Sequence, residues 1–159
     1  MAVRMLDKYT TNEEFLDFIV KDIHNAVVST VTEDNLPSAQ VVDLLMKKDG
    51  KIYITTSERN HPFVDDLNRA EKEDKIVLVN GYKGNGTMDS CGFSLKVKVK
   101  NLEHEYLEEI FKENPYLNVI YEKNIPKAKQ ILRVFELTPI RAGYLDHRVN
   151  PAYWREFLF

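Results

Sequence analysis

One cysteine, Cys91, is too few for an internal disulfide, and no second thiol is present to complete a zinc site. It is read as a small core or loop residue. The four histidines, at 24, 61, 104 and 147, are neither spaced i, i+4 nor grouped with the cysteine, so no metal centre is expected. Charge of one sign is also lacking. With 22 basic and 25 acidic residues and a net charge of -3, the chain has no field to gather nucleic acid or an anionic membrane. Apolar runs are only a few residues long, whereas a spanning helix needs roughly 20 apolar positions. Residues 1–8 lack the apolar stretch of a secretory signal, so a cytoplasmic protein is expected. Linkers rich in Pro, Gly or Ser, internal repeats and low-complexity tracts are missing too, and one domain spanning 1–159 is the expectation.

What is present is 43% hydrophobic residues, enough for one sizeable core, distributed with clear periodicity. Thr11 followed by Glu14 makes a capping box, and Phe15, Phe18, Ile19 and Ile23 then recur at helical spacing, with an end near His24-Asn25. From Ala26 the residues become β-branched. Val27 to Thr32 is a strand, Glu33 to Pro37 a hairpin loop, and Ser38 to Met46 a second strand. Asp49-Gly50 suits a tight reversal into a third strand, Lys51 to Thr56. Phe63, Leu67 and Ala70 mark a short amphipathic helix.

Ile76 to Val79 is a buried strand. Phe93, Leu95, Val97 and Val99 alternate with Ser94, Lys96, Lys98 and Lys100 along a long strand with one wet face. The Gly81 to Gly86 loop between them lacks Gly-Lys-Ser/Thr and is read as a hairpin loop rather than a phosphate loop. Two helices, broken at Pro115, form an insertion over about 102–125. Ile131 to Leu137 and Ile140 to Leu145 are strands interrupted at Thr138-Pro139. The tail, 147–159, carries Tyr153, Trp154, Phe157, Leu158 and Phe159, too much apolar surface to stay in water. Short hairpins imply antiparallel neighbours, so a mainly β fold with peripheral helices, a small barrel, is expected.

No Gly-x-Ser-x-Gly elbow or Ser, His and Asp set declares itself, and no catalytic residue is assigned. One junction draws polar groups together. Thr55, Thr56 and Ser57 end the third strand, Arg59 and His61 bring donors, and Asn60 can cap the helix that Pro62 starts. Free amides and the positive end of a helix dipole favour an anion there. An ordinary capped strand-to-helix junction accounts for the same residues.

Three phrases, in their order and spacing, resemble the FMN-binding split-barrel family, which includes pyridoxamine 5'-phosphate oxidase and the nitroimidazole-resistance flavoproteins, the latter branch being the nearer. They are Val27 to Val31 running through Leu36 to Val42, then Lys51 to Ser57, then Asn60-His61-Pro62-Phe63 to Leu67. The resemblance spans roughly Phe15 to Asp146. It implies a six-stranded antiparallel split barrel of Greek-key type over about 26–146, and a homodimer with FMN in grooves at the subunit interface. It also implies that Gln40, Val41, Val42 and Asp43 lie along the isoalloxazine, partly through backbone groups, and that Thr55, Thr56 and Ser57 meet the phosphate.

Two positions depart from that pattern. Gln40 stands where many members have arginine, and His61 where the nitroimidazole-resistance branch has a phosphate-binding lysine; Arg59 is the cation at hand. The implied function is a flavin-dependent oxidoreductase acting on a small molecule; a non-catalytic flavin-binding or storage module is the alternative. Arg141, Asp146, His147 and Arg148 are only a loose echo of the substrate-phosphate motif of a true pyridoxamine 5'-phosphate oxidase.

Overall fold

The computed structural model describes residues 3–159. Helix α1, Asn12–Phe18, starts on the Thr11–Glu14 capping box and continues through one π-helical turn, Ile19–Ile23. Phe15, Phe18, Ile19 and Ile23 are all buried, as their spacing predicts. The strands are β1 Asn25–Val31, β2 Pro37–Asp43, β3 Met46–Lys48 and β4 Lys51–Ser57. After helix α2, His61–Lys72, come β5 Val77–Gly84 and β6 Ser90–Asn101. Helices α3 Leu107–Glu113, α4 Tyr116–Tyr121 and α5 Ile125–Ile131 precede β7 Leu132–Asp146 and β8 Tyr153–Leu158.

The fold is mainly β with peripheral helices, as expected, but one antiparallel sheet holds eight strands rather than six. Their order is β2-β1-β5-β6-β7-β4-β3, with β8 added beside β7. Two local features explain the extra strands. The expected strand Ser38 to Met46 breaks at Leu44-Leu45, where consecutive buried leucines enter different cores. There the chain changes partners: Leu44 N–H donates to the His24 carbonyl at 2.7 Å, and Leu45 N–H to the Tyr53 carbonyl at 2.9 Å. The tail makes the other strand, because Phe157 stacks on Phe15 with centroids 4.3 Å apart and is almost fully buried. Burying a phenylalanine contributes about 2 kcal/mol.

Other boundaries also shift. Asp49 and Gly50 have φ of 50° and 71°, the paired positive values of a two-residue hairpin turn between β3 and β4. The interruption expected at Thr138-Pro139 is instead a bulge inside continuous β7, where the register against β6 slips between Lys96 and Val97. Proline lacks the donor a regular ladder would need, and a bulge tolerates it. The insertion has three helices, reaching Ile131; the signal missed was Pro126 in the first turn of α5.

Two apolar clusters result. The larger lies inside the curled sheet, under α1 and α2. The second lies on the other side of β3, β4 and β7, where Leu107, Ile110, Phe111 and Leu117 pack on Met46, Tyr53 and Val134. No helix among the described residues is long and apolar enough to cross a membrane.

Candidate functional site

The sheet curls until β2 lies beside β4 without pairing to it, and a groove of about 260 Å³ opens in that gap. Strand β2 pairs only with β1, which leaves its outer edge free. Strand β4 is covered by β3 only as far as Tyr53. Tyr53 turns its carbonyl toward Leu45, and the two-residue period of a strand turns the Thr55 peptide groups to the same side, beyond the end of β3. The gap is thus walled by peptide donors and acceptors that no neighbouring strand uses, and such groups need partners.

Seven of the ten residues singled out from the sequence line this groove: Gln40, Val41, Val42, Asp43, Thr55, Thr56 and Asn60. Ser57, Arg59 and His61 sit at its end without lining it. Ser57 Oγ accepts the Arg59 N–H at 3.2 Å, folding the turn into α2, while the Arg59 and His61 side chains are exposed. Asn60 makes no side-chain cap bond, contrary to the expectation for that residue, so the first turn of α2 keeps its orphan amides. The helix is seated by a buried pair rather than by its cap. Asp66, ion-paired to Arg69, accepts from the Thr30 hydroxyl at 3.1 Å, and Arg69 reaches the Val31 carbonyl at 2.7 Å.

The sequence reading missed the groove's other wall. Leu45 and, from α4, Tyr116, Leu117, Ile120 and Tyr121 close it. Ile120, on this wall, is 66% exposed. The Tyr116 hydroxyl donates to Asp43 Oδ2 at 2.9 Å, and Asn25 Nδ2 to Asp43 Oδ1 at 2.6 Å. Burial, and then the Asp43 bond, push the Tyr116 hydroxyl pKa well above the ordinary tyrosine value, so it stays a donor. Arg133, the cross-strand partner of Thr56, is committed to Glu58 and, at 2.9 Å from Nε, to Glu103.

A second recess, about 550 Å³, lies on the outer face of β5 to β8. The registers put Tyr82, Gly92, Leu145 and Trp154 in one row across four strands. Gly92 and Gly143 leave the floor flat, and the exposed Tyr82 and Trp154 stand at its sides. Beneath it, Asp146 is buried and bound by Arg148 Nε at 2.8 Å and by the Tyr144 hydroxyl at 2.7 Å. Arg148 also donates to the carbonyls of Val3 at 2.6 Å and Arg4 at 3.0 Å. Its donors are spent on structure, which ends the echo of a substrate-phosphate motif there.

The polar ends of the β2–β4 groove suit FMN: free strand edges for the ring's amide-like groups, hydroxyls and orphan helix amides for its phosphate. The space is less generous, since ligand pockets usually measure about 300–1,000 Å³.

No protein-family model and no curated protein matches the chain. Solved structures do. A Clostridium acetobutylicum protein related to general stress protein 26 of B. subtilis, of the pyridoxinephosphate oxidase family, is similar at TM-score 0.65 and 18% identity, over 92% of this chain and 96% of that one. A pyridoxamine 5'-phosphate oxidase-related, FMN-binding protein of Nostoc punctiforme is similar at TM-score 0.56 and 10% identity, over 86% of each chain. A heme-binding protein from Mycobacterium smegmatis is similar at TM-score 0.65 and 12% identity, over 97% of this chain and 60% of that one. The likeness is one of fold, and it is the fold that the sequence phrases imply.

Proposed function

We propose that this chain is a cytoplasmic, single-domain FMN-binding protein of the pyridoxamine 5'-phosphate oxidase-like kind, acting as a flavin-dependent oxidoreductase on a small molecule. The observation that carries the reading is the convergence, in the gap between β2 and β4, of two unpaired strand edges, the residues Thr55 and Thr56 and the uncapped start of α2. Gln40 to Asp43 would hold the ring edge. Thr55, Thr56, Ser57 and the α2 amides would hold the phosphate, with Arg59 and His61 as nearby donors. Bound flavin supplies hydride and electron transfer; the chain's own part is to orient it, dry one face and hydrogen-bond its edge.

The reading includes a homodimer that completes the site. Its support is the exposed row Tyr82, Leu145 and Trp154 on a flat glycine floor, an apolar surface of the kind that marks interfaces.

The test is a titration of purified protein with FMN, read by quenching of flavin fluorescence, followed by NADPH under anaerobic conditions. Saturable binding with bleaching of the flavin absorbance supports the oxidoreductase. Stable oxidised flavin supports a binding or storage role instead. A protein that ignores FMN but shifts the Soret band of added heme would put it with the heme-binding proteins of this fold.

A further inference from the structure

Helix α4 forms one wall of the groove. It has six residues and no side-chain cap, so it is not stable on its own. Leu117 is its one buried residue, whereas Val119 and Ile120 are 73% and 66% exposed. Two polar anchors hold it down. Asn114, just before it, donates to the Leu45 carbonyl at 2.7 Å, and Tyr116 donates to Asp43.

The second anchor is reinforced by His24, and that reinforcement depends on a proton count. His24 Nδ1 lies 3.3 Å from the Val20 carbonyl, and Nε2 lies 3.2 Å from the Tyr116 hydroxyl and 3.7 Å from Asp43 Oδ2. A carbonyl only accepts, so the first contact is a hydrogen bond only when Nδ1 carries hydrogen. Tyr116 has one hydroxyl hydrogen and gives it to Asp43, so Nε2 must carry hydrogen as well to bond the same oxygen. The three bonds therefore coexist only with an imidazolium. A neutral ring loses one of them. His24 also has φ 65° and ψ -53°, a region that non-glycine residues rarely adopt and that survives where surroundings over-determine it.

The charged groups that share the recess beside His24 are Asp17 and Lys21 from its own helical segment, Lys47 from β3 and Glu113 from α3, with Asp43 from β2. Lys47 is paired with Glu13 and Asp17, and Lys21 with Asp17. Asp43 and Glu113 remain as the carboxylates toward an imidazolium.

We infer that His24, Tyr116 and Asp43 form a proton-dependent latch: the charged ring adds a bond that tightens α4 against the β2–β4 groove, and loss of its proton removes that bond and loosens the helix along the groove. The consequence for ligand entry rests on the function proposed above; the latch itself does not.

The experiment is amide hydrogen exchange of residues 116–121 at pH 5.5 and pH 8, with rates corrected for intrinsic chemistry, and an FMN titration at both values. The expected result is protection about tenfold greater at the lower pH, with FMN affinity changing in the opposite direction. His24→Asn, chosen because asparagine tolerates positive φ, should abolish the pH dependence. Tyr116→Phe should do the same, and it carries the test if His24→Asn does not fold. Equal protection of the wild-type chain at the two values, or an unchanged dependence in a folded variant, would overturn the latch. If protection follows pH but FMN binds at neither value, the latch stands and the proposed function falls. If FMN binds and protection ignores pH, the proposed function stands and the latch falls.

Discussion

The groove between β2 and β4 and the slot across β5 to β8 are made from opposite parts of the same sheet. The groove is built from strand edges, so its walls are peptide groups without ladder partners, with Thr55 and Thr56 among the lining residues. The slot is built from strand faces, where the ladder is complete and only side chains speak: two glycines, Leu145, Tyr82 and Trp154. An edge must satisfy hydrogen bonds and therefore favours a polar ligand of fixed orientation. A face with its peptide groups paired offers apolar area, which favours packing over orientation. This contrast underlies the proposal of a polar cofactor for one recess and a second copy of the chain for the other.

The largest expected effect comes from undoing what lies under the slot. Arg148→Met leaves the buried Asp146 carboxylate without its cation, a change that costs about 3–5 kcal/mol and is read by urea unfolding at pH 7. Burial opposes the Asp146 charge, yet the bonds from Arg148 and Tyr144 hold its pKa below the ordinary carboxylate value. A lowered folded pKa contributes its stability in full above the unfolded value of about 3.9, and the contribution fades as pH falls through the folded value. The gap between wild type and variant should therefore narrow below about pH 4, and a gap independent of pH would assign the loss to packing.

Next in size is the slot's proposed partner. Replacing Trp154 and Leu145 together by glutamate puts charge into the centre of the row and should weaken self-association by at least ~2 kcal/mol, roughly thirtyfold, in sedimentation equilibrium. FMN affinity would fall with it only if the second copy completes the groove. An unchanged oligomeric state would break the comparison, leaving the slot without the role proposed for it.

Much of this was legible in the residues, for reasons that differ along the chain. Local rules fixed the Thr11–Glu14 box, the Asp49-Gly50 turn and the Phe93 to Val99 alternation, because each is decided within a few residues. The break at Leu44-Leu45 was not legible, since two adjacent leucines continue a strand pattern and only the partners His24 and Tyr53 reveal the crossing. Among the site residues, Gln40 to Asp43, Thr55, Thr56 and Asn60 do converge, as the family phrases imply. Tyr116 and Ile120 did not stand out, because a six-residue helix after a proline carries no periodic signal that says which wall it forms.

Within the groove, replacing Thr55 and Thr56 together by valine removes the hydroxyls and keeps the shape. Hydrogen bonds to a charged group contribute about 1.5–3 kcal/mol each, so FMN should bind at least tenfold more weakly in the fluorescence titration.

The smallest expected effect separates geometry from family analogy. His61 occupies the position where a permanent cation is expected, yet its side chain is exposed and does not line the groove. His61→Ala should therefore change FMN affinity by less than about 0.5 kcal/mol, whereas the Thr55 and Thr56 variant loses several times more. A tenfold loss on His61→Ala would mean that the ring swings onto the phosphate in the bound state and shares it with the hydroxyls and the α2 amides. Without that loss, the phosphate would rest on the hydroxyls, the amides and dipole of α2 and the nearby Arg59, and the edge-built groove would hold its anion without His61.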